Sequence, residues 1–131
     1  MKQIILILSF FSLFISITKS ELPPNFAMIS AAFSSGNADA LVKFFDADIE
    51  ISIFDKEESY QRDGALVVMK EFFSKNKPKS FNQVHQGASK GKDTQYSIGE
   101  ISTSTGNYRV YLYMKVVNDN YVIQELRIGR N

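Results

Sequence analysis

The spacing of hydrophobic residues changes period several times along this chain, and each change marks a new element. Phe26, Ile29 and Phe33 recur at helical spacing, with Ala27, Ala31 and Ala32 filling the turns between them. Asn25, behind Pro23 and Pro24, is placed to cap this first helix, and Gly36 to stop it. A second helix begins around residues 37–39, carries the stripe Leu41, Phe44, Phe45 and ends near Asp46. From residue 48 the period becomes two. Ile49, Ile51 and Ile53 alternate there with Glu50 and Ser52, which predicts a half-buried strand. Residues 55–58 read as a turn, and 59–61 pair back as a short second strand. Asp63 is placed to cap a third helix with the stripe Leu66, Met69, Phe72, Phe73, closed by Lys77 and Pro78.

Four more strands follow, at 80–89, 94–103, 108–117 and 121–128. Turn chemistry separates them at 90–93, 104–107 and 118–120. The order α-α-β-β-α-β-β-β-β, with helices early and a long-stranded sheet late, predicts an α+β two-layer domain.

The start of the chain reads differently. Met1 and Lys2 are followed by a run that is apolar from Ile4 to Ile17 apart from Ser9, Ser12 and Ser16, and then by Thr18, Lys19 and Ser20. A positive start, an apolar middle and small residues at the −3 and −1 positions predict a signal peptide over residues 1–20, cleaved before Glu21. The run is several residues short of the roughly 20 that a membrane-spanning helix needs. No stable membrane span is therefore expected after cleavage. Residues 21–131 are the size of one domain with a single core, exported to the periplasm or secreted.

Composition narrows the chemistry. The chain has no cysteine, so disulfide staples, thiol redox chemistry, cysteine nucleophiles and thiolate metal sites are excluded. Basic and acidic residues number 15 and 14, which lacks the basic excess of a nucleic-acid binder. Lys75, Lys77 and Lys79 around Pro78 read as a solvated loop. Three of the eleven Phe fall in residues 1–20, and the other eight with six Tyr supply much of the core in place of staples.

Several stretches together resemble a known architecture. Gly36 separates two helices, and Phe44, Phe45 and Asp46 run into the strand at 49–53. Asp63, Gly64 and Ala65 open a helix that ends Lys70, Glu71, Phe72, Phe73, and the last strand carries Val122, Ile123, Leu126 and Ile128. This arrangement resembles the nuclear-transport-factor-two-like fold, a cone-shaped cystatin-like α+β fold. More narrowly, it resembles a family of small exported Bacteroidetes proteins of unknown function. The resemblance implies a curved antiparallel sheet wrapped around three helices, with a pocket at the open end of the cone. It does not choose an activity, since isomerases, dehydratases, cyclases, transport adaptors and ligand binders share the fold.

Catalytic members of that fold often project an aspartate or histidine into the cone. The candidates here are Asp46, Asp48 and His85. Both aspartates lie at the wrong part of the strand for the general base of the isomerase-like members. His85 is the only histidine, so a multi-histidine metal site is impossible, and no EF-hand or Gly-x-Ser-x-Gly pattern is present. In a regular strand, His85 shares a face with Phe81, Gln83 and Gly87. Glu100, Glu125, Arg109 and Arg127 read as cross-strand ion pairs on one sheet face. No cofactor or metal is implied.

Two functions follow. The favoured one is a non-enzymatic binding or interaction module of the cell envelope, holding a small apolar ligand in the cone. The alternative is a small-molecule isomerase, dehydratase or hydrolase using Asp46, Asp48 or His85. For the ligand reading, Phe44, Phe45, Leu66, Met69 and Phe72 form the helix-side wall, and Ile51, Phe81, Tyr96 and Leu112 the sheet side. Asp46, Asp48, His85 and Arg109 are the polar residues placed to orient a ligand. Strand 108–117 is apolar on both sides, and the side bearing Tyr111, Tyr113 and Val117 is the expected homodimer face. The leader is the directly testable part: the intact mass of the protein recovered from its host should begin at Glu21. A cytoplasmic species retaining residues 1–20 would contradict export.

Overall fold

The computed structural model describes residues 26–88 and 93–130. The signal peptide expected over residues 1–20, the cap expected at Asn25 and most of the turn expected at 90–93 lie outside the described residues. Six strands form one sheet, and three helices pack on one of its faces. Helix α1 (Phe26–Ser35) and the short α2 (Ala38–Val42) precede strands β1 (Phe45–Ile53) and β2 (Lys56–Gln61). Helix α3 (Arg62–Lys75) leads into β3 (Pro78–Ala88), β4 (Thr94–Thr103), β5 (Gly106–Val117) and β6 (Asn120–Arg130). The sheet order is β2-β1-β6-β5-β4-β3. All neighbours are antiparallel except β1 and β6, which run parallel.

Local chemistry explains the joints. Gly36 ends α1 with φ of 66°, and Asn37 N–H reaches back to the Ala32 carbonyl at 2.9 Å, so glycine's freedom is used at the stop. The Asn37 side chain then caps α2, accepting from Ala40 N–H at 3.0 Å. Asn118 and Asp119 both adopt positive φ in the two-residue turn between β5 and β6, the conformation a tight hairpin asks for.

Three expected boundaries moved. Helix α2 stops at Val42, and Phe45 with Asp46 belongs to β1. Phe44 and Phe45 fit either period, and long-range pairing decided the outcome. Phe44 carbonyl accepts Ile123 N–H at 2.7 Å, and Phe45 sits opposite Ile123 of β6. Asp63 is likewise inside the first turn of α3, where its carboxylate accepts Gly64 N–H, and the cap position falls to Gln61. The turn after β1 is only Phe54 and Asp55, since Ile53 already pairs with Lys56.

The inner face of the sheet buries Phe45, Ile49 and Ile51 of β1, then Ile123, Leu126 and Ile128 of β6. Val110, Leu112 and Met114 of β5 and Ile101 of β4 continue it. The helices answer with Ile29, Phe33, Leu41, Met69, Phe72 and Phe73. Phe33 is the hinge of this packing. Its ring stacks on Phe81 at 4.9 Å and meets the edge of Phe73 at 6.3 Å. Phe81 lies so close over Gly99 that a Cβ there would come within 2.5 Å of the Phe81 ring. The absence of a side chain in β4 is what lets the β3 aromatic reach α1. Gly99→Ala should therefore destabilise the fold by about 1–3 kcal/mol, the usual cost of forcing a core apart, read as a lower urea midpoint. An unchanged midpoint would show that the Phe33–Phe81 stack does not rest on this gap.

Candidate functional site

Bulges decide which residues reach the interior. The pairing of β3 with β4 shifts between Gln83 and His85, so that Phe81 stands opposite Ile101 but His85 opposite Ile98. The extra residue, Val84, turns the later part of β3 over. Phe81 is buried against the helices, whereas His85 is exposed on the outer face. Tyr96 stands on that outer face too, opposite Tyr113 of β5 and Gly87 of β3. The expectation that His85 shares a face with Phe81 is thus corrected, as is the placing of Tyr96 in the cone. Arg109 is also exposed outside, directly opposite Glu100. Neither His85 nor Arg109 can orient a ligand in the cone.

The two aspartates are also outside it. Asp46 and Asp48 lie in the part of β1 where pairing with β6 is interrupted, between Phe45 and Glu50. Asp46 Oδ1 accepts Ala47 N–H at 2.8 Å, and its Oδ2 accepts from Gln124 Nε2 at 3.3 Å. Asp48 is exposed opposite Gln61. His85 Nε2 lies 3.3 Å from the Tyr96 hydroxyl. Strands β6, β5 and β4 separate β1 from β3. Four strand spacings put the histidine about 19 Å along the sheet from either aspartate, far beyond hydrogen-bond reach. Among the described residues, no three carboxylates and imidazoles cluster closely enough to hold a metal ion.

The wall expected for a ligand splits into two parts. Phe45, Met69, Phe81 and Leu112 are buried in the packed core, with Phe44 and Leu66 half-buried against it. Ile51 and Phe72 instead border an open concavity of about 220 Å³ between β1, β2 and α3. Its apolar surface is completed by Ile53, Phe54, Val68 and the ring of Tyr60. Lys56, Glu71, Lys75 and Asn76 supply the polar part.

Each polar group has a definite state. Asn76 is buried, donates its amide to the Phe72 carbonyl at 2.9 Å and accepts from the Thr105 hydroxyl. Thr105 is in turn 2.8 Å from the Tyr108 hydroxyl, so this network ties the end of α3 to the β4–β5 turn. Lys75 Nζ donates to Glu71 Oε1 at 2.7 Å. That bond, then the Lys75 charge, with a smaller contribution from Lys56, holds the Glu71 carboxyl below the ordinary range. The Tyr60 hydroxyl donates to Glu58. That bond and burial push its phenol up to about 12, so it stays protonated at neutral pH.

Phe54 at the rim is the unusual residue. It has φ of 56°, at the first position of a two-residue hairpin loop, where glycine, asparagine or aspartate is favoured. Its N–H donates to the Ile128 carbonyl at 2.8 Å. Its ring meets the edge of Tyr108 at 5.2 Å and lies 5.8 Å from the Arg130 guanidinium. An aromatic residue inside a tight turn was the available sequence signal for this site. It was hidden because the turn was placed one residue later.

On the outer face, Tyr96 stacks with Tyr111 at 6.3 Å, and Ile98 and Tyr113 stand beside them, all half-buried. Arg127 pairs with Glu125 at its edge. Burial, followed by the Glu125 charge, raises the Tyr111 phenol above its ordinary value.

The comparisons agree with this architecture. A family model described as "Domain of unknown function (DUF4783)" matches residues 26–129. A crystal structure of a DUF4783 family protein from Bacteroides ovatus is 30% identical, covering 86% of this chain and 98% of its own, with a TM-score of 0.76. One from Bacteroides uniformis is 31% identical over 80% of this chain and 95% of its own, with a TM-score of 0.74. A de novo designed protein with a curved β-sheet shares the fold at a TM-score of 0.64 and 14% identity, over 79% of this chain and 93% of its own. No curated protein matches the chain. The fold is nuclear-transport-factor-two-like, as the sequence predicts.

Proposed function

The chain belongs to the DUF4783 family, and from that premise we propose that it is a binding module and not a catalyst. Its ligand sits with an apolar part in the cavity between β1, β2 and α3. One observation carries this reading: between β1, β2 and α3 the buried Ile51 and Phe72 and their apolar neighbours line an open cavity of about 220 Å³. Mostly apolar concavities with a few directed polar groups are how proteins hold small ligands. The separation of His85 from Asp46 and Asp48 removes the acid–base pairing that the isomerase, dehydratase or hydrolase alternative needs. The pattern of residues 1–20 supports action outside the cytoplasm, in the periplasm or the medium.

The neutral apolar dye N-phenyl-1-naphthylamine tests the site. Its fluorescence should rise on binding, and Ile53→Glu should weaken binding about tenfold or more, because a carboxylate would then have to be desolvated in the cavity. An equal response from the variant, or none from the natural chain, would remove this site from consideration.

A second reading concerns assembly. The half-buried stripe of Tyr96, Ile98, Tyr111 and Tyr113 is uncovered by any helix among the described residues. It is edged by charges of both signs, Glu125 with Arg127 and Glu100 opposite Arg109. Charges of both signs at its edge allow an acid of one copy to meet a base of the other across a twofold axis, the self-complementarity a homodimer requires. Sedimentation equilibrium should show a dimer that Tyr111→Glu dissociates. A monomer throughout the micromolar range would defeat this assembly and leave the cavity reading untouched.

A further inference from the structure

We propose that the ligand of the cavity is a small amphipathic monoanion, its chain against Ile51, Ile53 and Phe72 and its carboxylate between Lys56 and Lys75. The inference rests on the binding reading above and adds the ligand's charge and the direction in which it lies.

The cavity is polarised. Ile51 and Phe72 at its floor are buried, while Lys56, Glu71 and Lys75 at its mouth are exposed. A ligand that fills it meets apolar surface at one end and charge at the other. The hydrogen-bonding groups are unequal in what they have left to offer. The Asn76 amide is engaged with Phe72 and Thr105, and the Tyr60 hydroxyl with Glu58. Lys75 uses one of its three N–H donors on Glu71. Lys56 enters no ion pair among the described residues. The donor capacity left at the mouth is therefore cationic, and it stands beside the remaining acceptor sites of Glu71.

The charge count points the same way. Lys56 and Lys75 face Glu71, and Glu58, across from Ile51 and bonded by the Tyr60 hydroxyl, adds a second carboxylate beside them. Arg130, over the Phe54 ring at the rim, is the third cation, and the opening keeps a single positive charge. A monoanion neutralises this surplus, a cation meets repulsion, and a neutral head leaves the ammonium groups to water. Phe54 supports the arrangement. Its backbone is held in a conformation that costs energy for a residue with a side chain, and what phenylalanine provides there that glycine could not is an apolar wall under Arg130.

Octanoate, 1-octanol and octylammonium share one chain and differ in the charge of the head, so they separate the two parts of the proposal. Calorimetry on the protein purified after expression of the full chain, at neutral pH and low salt, reads all three. Octanoate should bind roughly tenfold tighter than octanol, the return expected of a charge-assisted hydrogen bond, and octylammonium more weakly than either. Replacing both lysines, Lys56→Gln with Lys75→Gln, should bring octanoate below octanol, because Glu71 then stands at the mouth without its cation. An unchanged far-ultraviolet circular dichroism spectrum shows that the variant is folded, and a variant that still prefers octanoate overturns the anion. Equal affinity for octanoate and octanol in the natural chain overturns the anion while the cavity reading survives. Preference for octylammonium overturns it as well. Failure of all three, with a silent neutral dye, overturns the cavity reading itself.

Discussion

Three short helices must cover one face of a sheet that is longer than they are, and the rest of this structure follows from that mismatch. Helix α3, with 14 residues, spans about 21 Å, whereas the 12 residues of β5 extend about 40 Å. The helices therefore close over the middle of the inner face. There Phe33 stacks on Phe81 and meets the edge of Phe73, and Met69, Leu112 and Leu126 are buried in the same core. Beyond the end of α3 the sheet overhangs. The Asn76–Thr105–Tyr108 network fastens the last turn of the helix to the β4–β5 turn, and the remaining gap between α3 and the β1–β2 hairpin is the cavity. The outer face, which none of the described helices covers, keeps its tyrosines half-exposed.

The binding role we propose follows this geometry. The candidate histidine and aspartates do not converge, since His85 stands across three strands from the aspartates of β1. Binding needs only a shaped apolar surface and a few directed charges, and the overhanging end of the sheet supplies both. Glu71 illustrates the difference. Its carboxyl is held ionised by Lys75, which suits it to balancing charge at a mouth and unsuits it to proton transfer near neutral pH.

Much of this was legible in the spacing of apolar residues. The order of elements, the Gly36 stop, the Asn118–Asp119 turn and the two faces of β5 all follow from local chemistry. What could not be read depends on contacts between distant residues. Phe44 and Phe45 satisfy a helical stripe as well as a strand, and only pairing with Ile123 assigns Phe45 to β1. A bulge at Val84 leaves the strand pattern intact yet carries His85 to the other side of the sheet. Tyr96 was misplaced because its partners, Tyr113 and Gly87, are fixed by register alone. At the site itself, Ile51 and Phe72 were legible as apolar residues of a strand and a helix. Ile53, Phe54, Tyr60 and Val68 were not, because their common border arises only where α3 ends short of the sheet.

The central claim is that the molecule is filled through its middle and open at one end, and methyl-resolved NMR tests it most directly. With Ile, Leu, Val and Met methyl groups labelled, the chain is titrated with 1-octanol. Shifts should concentrate at Ile51, Ile53 and Val68, while Ile101, Leu112 and Met114 in the packed middle and Ile98 on the outer face hold their positions. Shifts at Ile98, or changes spread evenly through the core with none favouring the β1–α3 end, would contradict the account.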